Sequence, residues 1–254
     1  MFKPSKVHHS HCKEQCQPFV PERFSLLSWN IYKKNRSDRR FRSFLTTRFD
    51  VMPDFMLLQE AQFDPQAGCI LENFSFEAAA NLETDNRYYG VLTASRIAVQ
   101  ESKAFLSEEK EAFIGTHKSL LLSKYLFDHG KELLLVNIHA INFRENGAYE
   151  KEKQRLLSFL SAYSGAVILA GDFNTWSGSR LRILLEITES LGLKRVPFSK
   201  DDGVKSFMGN HLDMIFYRGV ELQSYEVLDD GAISDHRPLL SIFEKKVSIT
   251  AKNT

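Results

Sequence analysis

The segment at residues 167–176, VILAGDFNTW, constrains the fold of this chain more than any other. Its first four residues are apolar, two of them are β-branched, and a glycine bounds them, which predicts a buried strand. Asp172 and Asn174 follow, with Phe173 between them as a packing residue. Side chains two residues apart share one side of a strand, so both polar groups are expected to face one cleft. On its own the segment would favour an ordinary turn, because Gly, Asp and Asn are common turn residues.

Several other apolar runs along the chain also end in polar or ionisable residues. They form, in order, the motifs WN, LQE, NIHA, GDFN, LDMIFY and SDH, which carry Asn30, Glu60, His139, Asp172, Asn174, Asp213, Asp235 and His236. Buried charges are costly unless they are paired or bound to metal, so the needs of folding do not account for such a set. The motifs therefore indicate a functional site assembled from strand ends.

This ordered series resembles the endonuclease/exonuclease/phosphatase superfamily, from about residue 24 to about residue 243. The resemblance implies an α+β fold: a four-layer α/β/β/α sandwich in which two packed, mostly antiparallel sheets are flanked by helices. It also implies a divalent-metal-dependent phosphoric ester hydrolase. A bacterial branch of the superfamily with no assigned substrate is the most similar in its NIHAINF, GDFNTW and FYRG segments.

The resemblance implies a metal site formed by Glu60, with Asp235 and Asn30 as further ligands. Carboxylate and amide oxygens are hard ligands that suit Mg²⁺ or Mn²⁺ better than zinc. Magnesium retains several waters and binds substrate phosphate directly, so one or two protein carboxylates suffice. We therefore expect an incomplete protein shell around the ion. Whether one metal or two act is left open.

The resemblance also implies catalytic roles for five residues. Asp213 would fix the tautomer of His236 and support its positive form, as a carboxylate partner generally does. Asp172 would orient or deprotonate the attacking water, and Asn174 would donate to a phosphate oxygen as charge builds there. His139 would contact the phosphate or protonate the leaving group. Either Asp172 or His236 could be the general base, and we assign Asp172.

The spacing of apolar residues and the positions of turn residues predict the strands and helices around these motifs. Strands are expected at residues 24–31 and 54–58 and as a succession through residues 73–138. Helices are expected at residues 38–49, 149–163 and 181–191, the last closed by Gly192. Strand, helix, strand at the start suggests a crossover unit whose loops form the cleft.

The 254 residues could form one large domain or two small ones. Because the motifs are spread over nearly the whole length, we predict one domain at residues 22–246. Residues 1–21 are polar and contain three prolines, which favours a flexible leader. Residues 247–254 are expected to form a tail.

The formal net charge is +1, from 33 basic and 32 acidic side chains. A protein that grips nucleic acid without sequence preference usually has a marked basic excess, and this chain has none. A local basic cluster follows the WN motif, at Lys33, Lys34, Arg36, Arg39, Arg40 and Arg42. The cluster could border the cleft and attract a phosphorylated substrate, but the solvated side of a helix is the favoured interpretation.

Three cysteines give no disulfide framework and favour a reducing compartment. The first residues lack the apolar core of a signal peptide, and no apolar run approaches the ~18 residues of a membrane span. We expect a cytoplasmic protein without an integral membrane segment, with secretion by a signal-independent route as the alternative. The oligomeric state is left open.

The predicted function is hydrolysis of a phosphate ester, more specifically of a diester as by a nuclease, by activated water without a covalent intermediate. Its partner would be nucleic acid, a phosphorylated small molecule or a lipid head group. One alternative is a phosphomonoesterase or lipid phosphodiesterase of the inositol phosphatase or sphingomyelinase type. A second is an inactive phosphate-binding module, although a binder has no need of the whole residue set.

Overall fold

The computed structural model describes residues 7–10, 16–33, 39–63, 74–84, 87–106, 119–140, 154 and 156–246. Within these ranges the chain builds two large sheets. The first has seven strands: β1 (Val7–Ser10), β2 (Arg23–Asn30), β3 (Phe55–Phe63), β4 (Ser75–Thr84), β5 (Arg87–Ser95), β14 (Val220–Val227) and β15 (Leu239–Lys245). Their spatial order is β1-β4-β5-β3-β2-β15-β14.

The second sheet has six strands: β6 (Glu101–Leu106), β7 (Ser119–Leu126), β8 (Glu132–His139), β9 (Ala166–Asp172), β10 (Lys194–Arg195) and β13 (Asp213–Arg218). Their order is β10-β13-β9-β8-β7-β6, and a separate hairpin is formed by β11 (Ser206–Phe207) and β12 (Asn210–His211). Each large sheet contains one parallel pair, β2 with β3 and β8 with β9, while the other pairs are antiparallel. Each sheet therefore has a parallel pair of strands near its middle, flanked on both sides by antiparallel strands.

Helices cover the outer faces of the two sheets. Helix α1 (Arg39–Arg48) buries Phe41 and Leu45, and Phe41 stacks on Trp29 with ring centroids 5.4 Å apart. A helical segment at residues 156–161, α2, and helix α3 (Gly178–Ser190) pack on the second sheet. The basic residues of α1 lie on its exposed side, as expected of a solvated face; Lys34 and Arg36 lie outside the described residues.

Three apolar clusters separate the four layers. One lies between the sheets and includes Leu26, Leu57 and Ile168. The second joins the first sheet to α1, and the third joins the second sheet to α2 and α3. Alternating strand side chains supply both faces of each sheet, as the period of a strand requires. The predicted α/β/β/α sandwich is confirmed.

The predicted elements occur at their expected places, with shifted ends. Strands β4 to β8 lie within residues 75–139, and Gly192 follows α3 with a φ of 67°, a conformation that favours glycine. Most of the helix expected at residues 149–163 lies outside the described residues. None of the described helices has the length and apolar composition needed to cross a bilayer.

The described residues within the predicted leader at residues 1–21 have backbone partners in the rest of the chain. Residues 7–10 form β1 and pair with β4, and the backbone amide of Val20 donates to the carbonyl of Leu126 at 2.7 Å. The composition gives no sign of this pairing, because an edge strand pairs through backbone groups, which side-chain polarity does not report. The tail at residues 247–254 lies outside the described residues, and the domain limits stay a prediction.

A buried carboxyl group lies between the sheets. Glu77 of β4 is 4% exposed and accepts a hydrogen bond from Ser102 of β6. Burial raises the pKa of Glu77 to about 7, although the Ser102 hydrogen bond opposes the shift. A carboxyl whose folded-state pKa lies above its unfolded value of 4.5 reduces stability as the pH rises between these two values.

We therefore expect Glu77→Gln to gain stability relative to the wild type as the pH is raised from 4.5 to 8. The full difference is about 3 kcal/mol, since each pKa unit corresponds to about 1.4 kcal/mol. Urea denaturation at both pH values measures it. Glu221→Gln, at an exposed position of β14, serves as the control. A constant difference between Glu77→Gln and the wild type across this range would contradict the assignment.

Candidate active site

The polar strand ends meet at one edge of the sandwich because of the two parallel pairs. Asn30 is paired with Gln59, next to Glu60, in the first sheet. His139 is paired with Asp172 in the second, and Asp172 is also paired with Asp213 of β13. The carboxyl ends of parallel neighbours lie at the same edge of a sheet, so each sheet presents its polar residues together.

Strand alternation sends four of these side chains inward, between the sheets. Asn30, His139, Asp172 and Asp213 each lie an even number of residues from a side chain of the inter-sheet cluster, such as Leu26 for Asn30. All four are buried. The sequence thus fixes both the edge and the face of these residues once the strands are known.

Glu60 breaks this pattern and reaches the site through a β-bulge. Leu58 and Ala61 of β3 oppose Leu92 and Gly90 of β5, so the register shifts between them, and Glu60 has a φ of 51°. Strict alternation would send Glu60 to the face covered by α1, opposite to that of Leu57. Bulges commonly re-aim a side chain next to an active site, and this one directs Glu60 to the cleft.

Asp172 is the centre of the hydrogen bonding. Its Oδ2 accepts from Asn30 Nδ2 at 3.1 Å, and its Oδ1 accepts from the backbone amide of Asn174 at 3.0 Å. His139 Nε2 lies 3.6 Å from Asp172 Oδ2 and 3.8 Å from Glu60 Oε1. Glu60 Oε2 is 3.9 Å from Lys33 Nζ at the rim. Residues of both sheets thus converge on one small volume.

His236 and Asp213 form a buried pair, with Nδ1 and Oδ2 2.7 Å apart. Burial alone lowers the pKa of His236, but the Asp213 carboxylate outweighs it and, with Asp172 and Asp235, raises the pKa to about 9. The imidazole is therefore protonated at neutral pH. Its second nitrogen, Nε2, lies 4.0 Å from Asp235 Oδ1.

Asn174 and Asp235 are held differently from the other predicted residues. Asn174 leaves the strand conformation with a φ of 49°, and its Nδ2 donates to the carbonyl of Ala140 at 2.8 Å. Asp235 is 56% exposed at its side chain and forms an ion pair with Lys205 at 2.9 Å. Burial raises the pKa of Asp235, but the Lys205 hydrogen bond and His236 outweigh it, so the pKa is lowered.

The structure brings donor atoms of Asp172, Asp213 and His236 within 4.8 Å of one another. These belong to the predicted catalytic set, whereas the predicted metal ligands Glu60 and Asp235 lie to either side. Glu60 still offers carboxylate oxygens to the cleft, and Asn30 Oδ1 accepts a hydrogen bond from the Tyr32 amide at 3.2 Å. A carbonyl oxygen has two lone pairs, so this donor set fits a hard divalent cation. The individual roles stay predictions.

Backbone strain concentrates at this edge. Seven described residues other than glycine have positive φ, and four of them, Tyr32, Lys33, Glu60 and Asn174, lie in the loops or bulge of the site. Such conformations cost about 1–3 kcal/mol each and persist only where the surroundings enforce them. Their clustering is typical of a functional site.

The sequence did not reveal which residues hold the SDH loop. Asp230 accepts from the backbone amide of Ser234 at 2.9 Å, and Ser234 Oγ donates to the carbonyl of Asn30 at 2.7 Å. The indole of Trp29 donates to the carbonyl of His236 at 2.8 Å. Asp229-Asp230-Gly231 is a recognisable turn, but no pattern linked it to the WN strand some 200 residues earlier.

Arg180 was also missed. It lies in the first turn of α3, is fully buried, and places its guanidinium 4.6 Å from the centre of the Trp176 ring. Its Nη1 donates to the carbonyl of Asn174 at 3.4 Å, so it supports the loop after β9. An arginine in a helix of mixed polarity is ordinarily exposed, so the sequence carried no signal of this role.

Comparison with known proteins identifies the family of this chain. A family model described as the Endonuclease/Exonuclease/phosphatase family matches residues 27–236, so the chain belongs to that family. A UPF0294 protein of Vibrio vulnificus is 36% identical over 222 residues, which cover 86% of this chain and 76% of that relative.

Two solved structures have the same fold. An endonuclease/exonuclease/phosphatase family protein from Bacteroides thetaiotaomicron is 16% identical with a TM-score of 0.65, covering 90% of this chain and 100% of that one. ANGEL2, described as a 2′,3′-cyclic phosphatase, is also 16% identical with a TM-score of 0.65, covering 96% and 99%. At this identity the likeness concerns the fold alone.

We expect Asp213→Asn to lower the pKa of His236 well below its wild-type value of about 9, because burial then acts with less opposition. Titration of the imidazole C–H resonances by NMR, on protein kept free of divalent metal, measures the change. Asp229→Asn is the matched control, an exposed aspartate in the loop that leads to His236. An unmoved titration in Asp213→Asn would refute the coupling.

Proposed function

We propose that this protein hydrolyses a phosphate ester, and more narrowly a phosphodiester, with the help of a divalent cation. The observation that carries the proposal is the convergence of Asn30, Glu60, His139, Asp172, Asp213 and His236 at one cleft edge of a sandwich of this family. Three carboxylates, two imidazoles and a carboxamide from six separate strands and loops have no evident use in folding.

Glu60 and Asn30 are the proposed metal ligands, with Asp235 at the rim as a third. Magnesium or manganese held there would supply positive charge to a phosphate oxygen of the substrate. Asp235 can bind the metal only if the cation replaces Lys205 as its partner, since Asp235 and Lys205 form an ion pair. The incomplete set of protein ligands leaves room for substrate oxygens.

Asp172 is the proposed general base that orients and deprotonates the attacking water. His236 is a poor base at neutral pH because its pKa is raised to about 9. Its protonated ring, held by Asp213, instead offers positive charge and a proton from Nε2 to a phosphate oxygen. This division of roles favours Asp172 over His236 as the general base, a choice that the sequence left open.

His139 and Asn174 complete the proposed chemistry. His139 Nε2 lies within 4 Å of both Asp172 and Glu60, where it can contact the phosphate or protonate the leaving group. One hydrogen of the Asn174 amide is used by the Ala140 carbonyl, and the second remains to donate to a phosphate oxygen. Water attacks directly, and no covalent intermediate is required.

The substrate class is proposed on chemistry and charge. A near-neutral chain with 33 basic and 32 acidic side chains favours a small or membrane-borne phosphoester over long duplex nucleic acid. The likeness in fold to a 2′,3′-cyclic phosphatase supports phosphoester chemistry without selecting a substrate. The low cysteine count supports action in a reducing compartment such as the cytoplasm.

Glu60→Ala and His236→Ala are each expected to abolish magnesium-dependent hydrolysis of bis-p-nitrophenyl phosphate, because one removes a metal ligand and the other the charge facing the phosphate. Glu221→Ala and His129→Ala, at exposed positions far from the cleft, are matched controls expected to keep wild-type turnover. Release of p-nitrophenol, with magnesium and then with chelator, is the measurement. Wild-type rates in Glu60→Ala would refute the assignment.

A substrate panel tests the alternatives. Oligonucleotides, inositol phosphates and sphingomyelin are assayed side by side with magnesium and with manganese. Turnover confined to monoesters or to the lipid would replace the diester assignment with one of the two scaffold alternatives. Calorimetric binding of nucleotide, without turnover under any divalent metal, would show a binding module and overturn the enzyme proposal.

A further inference from the structure

Two buried carboxamides join the sheets directly beneath the site. Gln59 of β3 and Asn137 of β8 are both fully buried, and each points inward from its own sheet. Gln59 Nε2 donates to Asn137 Oδ1 at 2.8 Å and to its own strand at the carbonyl of Leu57 at 2.9 Å. We call Gln59 and Asn137 the amide clasp.

Asn137 extends the clasp to two strands of the opposite sheet. Its Nδ2 donates to the carbonyl of Leu58 on β3 at 3.3 Å and to that of Leu92 on β5 at 3.0 Å. Leu58 and Leu92 form the last regular pair before the bulge that carries Glu60. The clasp therefore binds the backbone at the point where β3 departs from regular pairing.

A glycine makes room for the clasp. A Cβ added to Gly171 of β9 would lie 2.0 Å from the carbonyl oxygen of Ile138 and 3.2 Å from Gln59 Nε2. The φ of Gly171 is 140°, which disfavours other residues as well. The glycine that bounds the apolar run before Asp172 thus has a packing reason: a side chain there would meet the backbone of β8 in its own sheet and the Gln59 side chain from the opposite sheet.

We propose that Gln59 and Asn137 are positioning residues for the proposed hydrolysis: the clasp holds the β3 bulge so that Glu60 faces His139 and Asp172 across the sheet interface. The inference rests on the proposed function and deepens it. Neither carboxamide touches the reacting atoms. Each positions a site residue on its own strand. Gln59 positions the adjacent Glu60, and Asn137 positions His139, two residues further along β8.

The apolar inter-sheet cluster cannot perform this task alone. Dispersion and hydrophobic contacts are non-directional, so they hold the sheets together without fixing the orientation of an individual side chain. A buried polar pair contributes little net stability compared with an apolar pair of the same shape, but it specifies one arrangement. Two carboxamides at 0% exposure are thus better explained by geometry than by stability.

The test compares three variants with the wild-type protein. Gln59→Met keeps the side-chain length without a donor, and Gln59→Asn keeps the amide but is one methylene too short to reach Asn137. Ser123→Ala is the matched control, since Ser123 is a buried inward-facing polar residue paired with Leu135, four residues before His139. Folding of each is checked by circular dichroism, and Gln59→Asn stands in if Gln59→Met does not fold.

With bis-p-nitrophenyl phosphate and magnesium, we expect the Gln59 variants to lose at least tenfold in kcat with KM changed less than about twofold, because an ill-placed Glu60 weakens transition-state stabilisation rather than substrate binding. Ser123→Ala should keep the wild-type kcat. A merely structural role would alter the amount of folded protein but not kcat per folded molecule. Unchanged kcat in both Gln59 variants would overturn the proposal.

Hydrogen exchange provides a readout that does not depend on activity. Amides of residues 58–62 and 90–92 should exchange at least tenfold faster in the Gln59 variants, whereas those of residues 93–95 at the far end of β5 should not change. If the wild-type protein hydrolyses no phosphoester, the proposed function fails while the exchange pattern still decides whether the clasp holds the bulge. Unaltered exchange at the bulge would then refute the clasp.

Discussion

Packing of one sheet against the other through a shared apolar layer is the interaction on which everything else in this protein depends. Neither sheet has a complete site. The first supplies Asn30 and Glu60, and the second supplies His139, Asp172 and Asp213. Only when the inter-sheet cluster forms do these groups come within hydrogen-bonding distance, as Asn30 and Asp172 do at 3.1 Å. Folding and assembly of the candidate active site are therefore the same event.

Within that frame, the site combines rigid strand ends with local departures from regular structure. Period-two alternation delivers most of the polar side chains, but Glu60 requires a bulge and Asn174 a left-handed backbone. These departures carry strain, and buried polar contacts hold them in place. The loop before β15 is fixed in a similar way, because Asp230 orders its backbone and Ser234 joins it to Asn30. His236 is thereby placed against Asp213, which sets its charge.

Much of the architecture could be predicted from particular segments. Apolar periodicity, with turn residues between the elements, predicts three parts of the fold. These are the strand that ends at Asp172, the strands within residues 75–139 and the helix that ends at Ser190. The order of the motifs indicated the family, which the match over residues 27–236 establishes. Nothing in the sequence indicated the amino-terminal strand β1, which pairs with β4 through backbone groups. Polar composition says nothing about such pairing, because every residue but proline carries the same backbone donor and acceptor.

The sequence by itself determined most of the strands, the face of their inward side chains apart from Glu60, and the chemical identity of the polar groups, because these depend on local periodicity and residue type. Tertiary structure alone decided that Glu60 turns toward His139, that Asp235 pairs with Lys205, and that Gln59 meets Asn137 across the sheets. The physical reason is that these contacts join residues 30 to 79 positions apart. Their geometry depends on sheet register and on a bulge, and neither leaves a periodic trace in the chain.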